Sequence, residues 1–269
     1  IEDDASEGFG FGSVVFYAEN VDTNLTSVEV FGTTMYDIEG GFGSAMAFVT
    51  RDGNLLHMDV FNISGSNFTH NKAARHGAAV FINVRTSLGL LHVTQSSRID
   101  NNTAGSFGGA FYIAPLIESL VVEGTSSVSA NSADLSGGAF YFEKGIRSIS
   151  ILRGSNVSGN RAFENGGAFC IRGANVNSIS VEDNSHVDHN TVDVDVIVES
   201  KGGGAFYLQD VSLKQFVLLN GSSMDNNMLI GTAATRRPGS GGALRVDGHL
   251  DTLVVRQNSS ISNNTAGAG

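Results

Sequence analysis

One alanine recurs along the whole chain, and its spacing limits what the chain can fold into more than any other feature. It stands at Ala45, Ala79, Ala110, Ala139, Ala168, Ala205 and Ala243, with Val14 in its place at the start, at intervals of 31, 34, 31, 29, 29, 37 and 38 residues. A second column keeps step with it: Asn71, Asn102, Asn131, Asn160, Asn190, Asn227 and Asn264. Three residues before each asparagine stands an apolar residue: Phe68, Ile99, Val128, Val157, Val187, Met224 or Ile261. Self-similarity at this period marks a solenoid, in which each repeat buries its apolar face against its neighbours.

Within a repeat, apolar residues alternate with small or polar ones in three runs separated by turn residues, which predicts three short strands per coil. The first strand is expected to point Val15, Met46, Val80, Phe111, Phe140, Phe169, Phe206 and Leu244 inward. Two residues on, Tyr17, Phe48, Ile82, Ile113, Phe142, Ile171, Leu208 and Val246 do the same. The second strand supplies pairs such as Leu91 and Val93, Leu120 and Val122, and Ile149 and Ile151. The third carries the apolar residue of the Phe68 to Ile261 column and then the asparagine. Strand centres about eleven to fourteen residues apart cannot pair as tight hairpins, so like strands must stack on like strands one coil later. The expected fold is therefore all-β: a right-handed, single-stranded parallel β-helix of about seven to eight coils, its hand following the rule for parallel crossovers. At ~4.8 Å per coil this gives a rod about 35 Å long.

The asparagine column has a structural reading: amides stacked at one corner can bond along the axis and to turn backbone. Gly-Gly before the first strand suits a corner where a side chain would clash or φ is positive. Loops between the asparagine and Gly-Gly vary, and the two long ones, after Asn190 and Asn227, must emerge side by side. The whole of 1–269 reads as one repeat domain. Its last coil stops inside a loop and no capping helix can be drawn, so the chain reads as a piece of something longer.

Composition bounds the function. With 16 basic against 27 acidic residues and a net charge of -11, a nucleic-acid partner is disfavoured on electrostatic grounds. No apolar run reaches the ~18 residues that span a bilayer, so no membrane insertion is expected. The single cysteine, Cys170, excludes an internal disulfide and is read as a small residue tolerated in a tyrosine column, with no histidine placed to activate it. Eight N-glycosylation sequons occur, at Asn24, Asn62, Asn67, Asn101, Asn156, Asn220, Asn258 and Asn263, where chance would give about four. All eight fall at positions read as turns or outward faces, with Asn101 and Asn156 the best placed, which suits an extracellular glycoprotein.

Gly108-Gly109-Ala110-Phe111 recurs as Gly137-Gly138-Ala139-Phe140, Gly166-Gly167-Ala168-Phe169, Gly203-Gly204-Ala205-Phe206 and Gly241-Gly242-Ala243-Leu244, and Phe68-Thr69-His70-Asn71 forms Phe-x-x-Asn. Together these resemble the repeat signature of the chlamydial polymorphic outer membrane proteins and, more broadly, of right-handed β-helix repeat proteins of the pectate-lyase-like superfold. The resemblance covers nearly the whole chain. It implies a surface-exposed passenger used in adhesion; the same superfold also carries polysaccharide lyases, hydrolases and phage tailspikes.

Polysaccharide cleavage needs clustered carboxylates, as Ca²⁺ ligands or as an acid and base pair. The outward column Tyr112, Tyr141, Cys170, Tyr207 and Arg245 carries none. The best alternative cluster is His186, Asp188 and His189 with Asp225 one coil later, a conceivable divalent-metal site whose bland reading is a solvated polar strand. Asp193, Asp195 and Glu199 in one long loop face Arg236 and Arg237 in the next, as ion pairs or a partner site. Small outward residues, Ser148, Ser150, Ser178, Ser180 and Thr252, raise an ice-binding reading that Gln215, Val121 and Val217 interrupt. The favoured reading is a non-enzymatic extracellular structural or adhesive protein without cofactor, a rod or fibre segment whose partners are its own copies, flanking segments, or carbohydrate and cell-surface groups. A carbohydrate-active enzyme or carbohydrate-binding module is the alternative. The alanine column and its tyrosine neighbours are expected to form a flat, apolar outer strip through which rods pack side by side.

Overall fold

A computed structural model describes residues 10, 12–18, 22–50, 55–83, 85, 87–194, 202–231 and 240–268. Among them there is no α-helix, and every strand pairing is parallel between residues one repeat apart. The strands stack into a parallel β-solenoid, as the two sequence columns require.

One coil contains four strands rather than three. Phe111–Ile113, Ile117–Val122, Ser127–Ser129 and Ser132–Ala133 lead to Phe140–Phe142, which lies directly on the first of them. Three of the resulting sheets are eight strands deep among the described residues. The third sheet has four strands, Thr34–Tyr36 to Ser127–Ser129, and continues as single bridges through Asn156, His186, Ser223 and Ser260. The unforeseen fourth strand follows the asparagine directly and is as short as Thr103–Ala104. Its one buried residue is the small Ala73, Ala104, Ala133 or Ala162 in four coils and only then Val192 and Leu229, too weak and irregular a hydrophobic signal to reveal a strand.

The core runs the length of the rod. Phe111, Phe140, Phe169 and Phe206 lie inward and stack at centroid distances of 4.9, 4.9 and 4.5 Å with nearly parallel rings. Offset stacking of this kind adds roughly 0.5 to 1.5 kcal/mol per pair beyond the area buried. In the first coil the expected inward pair Val15 and Tyr17 is wrong by one residue: Val14 aligns with Met46 and Phe16 with Phe48. Val15 and Tyr17 are 42% and 45% exposed, while Phe16 stacks on Phe48 at 4.7 Å. Val-Val-Phe-Tyr is apolar on both faces, so alternation alone cannot set its phase, and the ring stack does. The backbone bond of Val14 N–H to the Ala45 carbonyl likewise places Ser13, not Val14, beside the alanine column.

Two polar ladders close the corners. Each asparagine from Asn71 to Asn227 donates its backbone N–H and its Nδ2 to the Oδ1 of the next, at 2.8 to 3.1 Å. Nδ2 also donates to a backbone carbonyl one coil back, as Asn131 does to Ile99 at 2.8 Å. Sequence inspection missed a serine ladder five residues earlier. There the N–H of Ser126 reaches Ser155 Oγ, that of Ser155 reaches Ser185, and that of Ser185 reaches Ser222, each at 3.2 Å. The turn before each asparagine is tight: His70, Asn101, Ala130, His189, Asn226 and Asn263 all have φ of 54 to 59°.

Gly-Gly works by two mechanisms. Gly137 has φ of 70°, whereas a Cβ on Gly138 would stand 2.1 Å from the Gly167 carbonyl oxygen. The first needs the left-handed region and the second needs room for the next coil's backbone.

Candidate functional site

The outer face of the first sheet carries the column Ala47, Phe81, Tyr112, Tyr141, Cys170, Tyr207 and Arg245, set in register by the strand pairing. It was expected to be a flat, open strip, and it is not. Ala110, Ala139, Ala168 and Ala205 are fully buried in the main core, and Tyr112, Tyr141, Cys170 and Tyr207 form a second, separate buried cluster. Phe42, before Gly43-Ser44, and Phe107, before Gly108-Gly109, pack against this cluster. His76 stacks on Tyr112 at 4.7 Å, and Phe107 stacks on Tyr141 at 4.6 Å. The solenoid covers its own aromatic strip, so the expected open apolar strip for side-by-side packing is not there.

Burial obliges each tyrosine hydroxyl to find a partner. Tyr112 OH donates to Glu143 Oε2 at 2.6 Å and Tyr207 OH to Asp247 Oδ2 at 2.7 Å, while Tyr141 OH accepts from Arg172 Nη1 at 2.9 Å. All three partners lie one coil on and two residues past the position aligned with the tyrosine. Burial pushes all three phenols above their ordinary range, with the Glu143 and Asp247 bonds adding to this at Tyr112 and Tyr207.

A cavity of about 210 Å³ opens between these strands and the covering segments. The sheet contributes Tyr141, Cys170, Arg172 and Gln209; the covering segments contribute Phe107, Ser136, Glu164 and Asn165. Burial raises the Glu164 carboxyl above its usual range, and it pushes the Cys170 thiol up to about 12. At neutral pH that thiol is protonated and unsuited to nucleophilic attack. Sequence reasoning passed over Glu164, Arg172 and Gln209. The signal for them was Cys170 itself, which interrupts a column of rings.

The residues singled out in the sequence go elsewhere. Asp188 accepts from Ser223 Oγ at 2.7 Å and from the Asp225 N–H at 2.6 Å. Asp225 repeats this one coil on with Ser260 and Ser262, and Asp100 does so with Ser127 and Ser129. His186 Nδ1 meets Ser223 Oγ at 2.7 Å. These side chains tie consecutive coils of the third sheet together, and the described residues hold no group of three or more His, Cys, Asp or Glu placed to bind a metal ion. Asp193 pairs with Arg161 on its own sheet. Asp195, Glu199, Arg236 and Arg237 lie outside the described residues. The small residues Ser148, Ser150, Ser178 and Ser180 pair across the outer face of the second sheet, next to Gln215 and Val217.

Of the sequons, Asn24, Asn101, Asn220, Asn258 and Asn263 are exposed, and Asn62, Asn67 and Asn156 are half-buried. Asn101 and Asn156, expected to be equally open, differ: Asn101 sits at a turn with φ of 57°, while the Asn156 Oδ1 is buried and unpartnered within the chain. Asn156 is bridged to Ser127 on one side and to His186 on the other.

Comparison with known proteins returns no match: no family model, no curated protein and no solved structure matches this chain.

Proposed function

We propose that this chain is a non-enzymatic structural or adhesive segment of an extracellular surface protein, a rod that presents its turns and loops to carbohydrate or cell-surface partners. One observation carries the reading: five carboxylates, including the acids of the cluster singled out in the sequence, are spent on holding coils together. Asp100, Asp188 and Asp225 each accept two bonds from the next coil, and Glu143 and Asp247 hold buried phenols. The Gly-Gly-Ala and Phe-x-x-Asn signature adds the likeness to polymorphic outer membrane passengers and to the pectate-lyase-like superfold. Five exposed sequons suit a glycosylated surface rod.

The alternative, a polysaccharide-cleaving enzyme, draws on Glu164, a carboxyl made more basic by burial at the edge of a cavity, as a general acid must be. Both hydrolytic routes need a second carboxylate about 5 to 9.5 Å away. Among the residues lining the cavity Glu164 is the only one.

Antibody labelling of intact against permeabilised source cells tests the proposal, together with retention of protein-coated beads on those cells. Labelling of intact cells with bead retention supports it. Labelling only after permeabilisation overturns it.

A further inference from the structure

Among the described residues the outer face of the second sheet stays open: Glu118, Asn177, Lys214 and Asp251 are exposed, and Ser119, Ser148 and Ser150 are half-buried. One outward column carries most of the charge on this face. In successive coils it reads Asp59, Gly89, Glu118, Arg147, Asn177 and Lys214, with Thr26 before and Asp251 after. Arg147 gives one bond to the Asn175 carbonyl, and Glu118 and Lys214 take part in no ion pair among the described residues.

A two-fold axis lying along the strands turns one such face onto another with the two rods antiparallel, and each column then meets itself in reverse coil order. Centred between the coils of Glu118 and Arg147, the axis sets Glu118 against the partner's Arg147 and Asp59 against the partner's Lys214, each pair made twice. Gly89 then meets Asn177, and Thr26 meets Asp251. A shift of one coil either way would put Glu118 against Glu118 or Arg147 against Arg147, a like-charge contact at the centre of the interface. The other two outward columns are mostly Ser and Val, which lets the sheets approach closely. They add Glu29 and His92, which face Val254 and Ser180, so no like charges meet in the three columns.

In this register all eight strands of the sheet overlap. Eight strands at ~4.8 Å and six residues at ~3.3 Å cover roughly 750 Å² on each copy, against about 800 Å² per partner in a stable complex. We propose that the outer face of the second sheet is a homodimer interface, in which a second copy of this chain packs antiparallel about a two-fold axis between the coils of Glu118 and Arg147. Of the exposed sequons, Asn101, Asn220, Asn258 and Asn263 lie at turns outside this face and Asn24 at its rim, so glycans there leave the interface free. Asn62 lies on the face, half-buried, and is bare in the dimer.

The test is analytical ultracentrifugation of the intact protein in about 0.15 M salt, where the general repulsion between copies of net charge -11 is screened beyond ~8 Å. The expected result is a reversible dimer whose dissociation constant rises about ten-fold in Glu118→Arg and in Arg147→Glu, since each swap turns two attractive pairs into like-charge contacts. The double swap should restore the wild-type affinity. Zero-length carbodiimide crosslinking adds a readout that needs no variant: Asp59 and Lys214 are five coils, or roughly 24 Å, apart in one chain, so a crosslink between them joins two copies. A monomer up to the high micromolar range, a dimer crosslinked only at other residues, or a glycan on Asn62 of the dimer overturns the proposal. So do folded single swaps that dimerise like the wild type, or a double swap that stays as weak as the singles.

Discussion

The Asn131 backbone N–H and its Nδ2 both donate to a single atom, the Asn160 Oδ1, at 3.0 Å each. Asn131 in turn receives two bonds from Asn102 on its own Oδ1 and gives its second Nδ2 proton to the Ile99 carbonyl. The amide is thus fully matched in a dry corner. Asn131→Ala removes an acceptor shared by two buried N–H donors and leaves the Ile99 carbonyl short of a partner. The expected cost is ~1 to 3 kcal/mol, read as a lower midpoint in urea. An unchanged midpoint would show that the column is decorative.

Ala130 precedes that asparagine with φ of 54°, a region costly for any residue with a Cβ. Gly159 holds the same turn one coil later at 63°. Ala130→Gly should therefore stabilise the rod by about 0.5 to 1 kcal/mol, the relief of the left-handed penalty less the extra entropy glycine loses. Thermal melting checks this, and a lowered melting temperature would mean that the Ala130 methyl packs better than its strain costs.

His76 ties the covering segments to the aromatic strip, ringed by Phe42, Phe81, Phe107 and Tyr112, and its Nδ1 is buried without a partner. Burial first, and the neighbouring Arg75 charge second, lower its pKa from 6.5 to about 4. A base whose folded pKa is depressed binds more protons unfolded, so its contribution is complete above pH 6.5 and is lost as pH falls towards 4. The loss should be roughly 2 to 3 kcal/mol. His76→Phe, which keeps a ring in the cluster, should flatten stability over that window. A variant as acid-sensitive as the wild type would remove His76 from the account.

Cys170 is buried and its thiol pKa is pushed to about 12, chiefly by desolvation. Iodoacetamide at pH 8 should leave the folded protein unmodified over hours and label it within minutes in denaturant, as mass spectrometry can follow. Fast native labelling would indicate an open site around a reactive thiolate.

The sequence made the solenoid legible because Ala110 and Asn131 belong to columns whose side chains have one permitted role each. Ala110 fits a crowded corner, and Asn131 satisfies backbone that nothing else reaches. Where a side chain has several possible roles the reading failed. Val14 to Tyr17 is apolar on both faces, so its register slipped by one. Thr103–Ala104 buries only a methyl and left its strand unseen. Ser126 went unread, although its spacing from Asn131 repeats one coil later at Ser155 and Asn160. The Tyr112 strip was misread for a different reason: alternation tells which side of a sheet a residue faces, not whether Phe42 and Phe107 will fold over that side.

The proposed function rests on Asp100, Asp188, Asp225, Glu143 and Asp247 being spent on the coils themselves, and it entails no chemistry on polysaccharide. Incubation with a panel of neutral and anionic polysaccharides, followed for new reducing ends and for the absorbance of unsaturated uronates, tests it directly. The account predicts traces that match the blank and are identical for the wild type and Glu164→Gln. Turnover by the wild type that Glu164→Gln abolishes would contradict it.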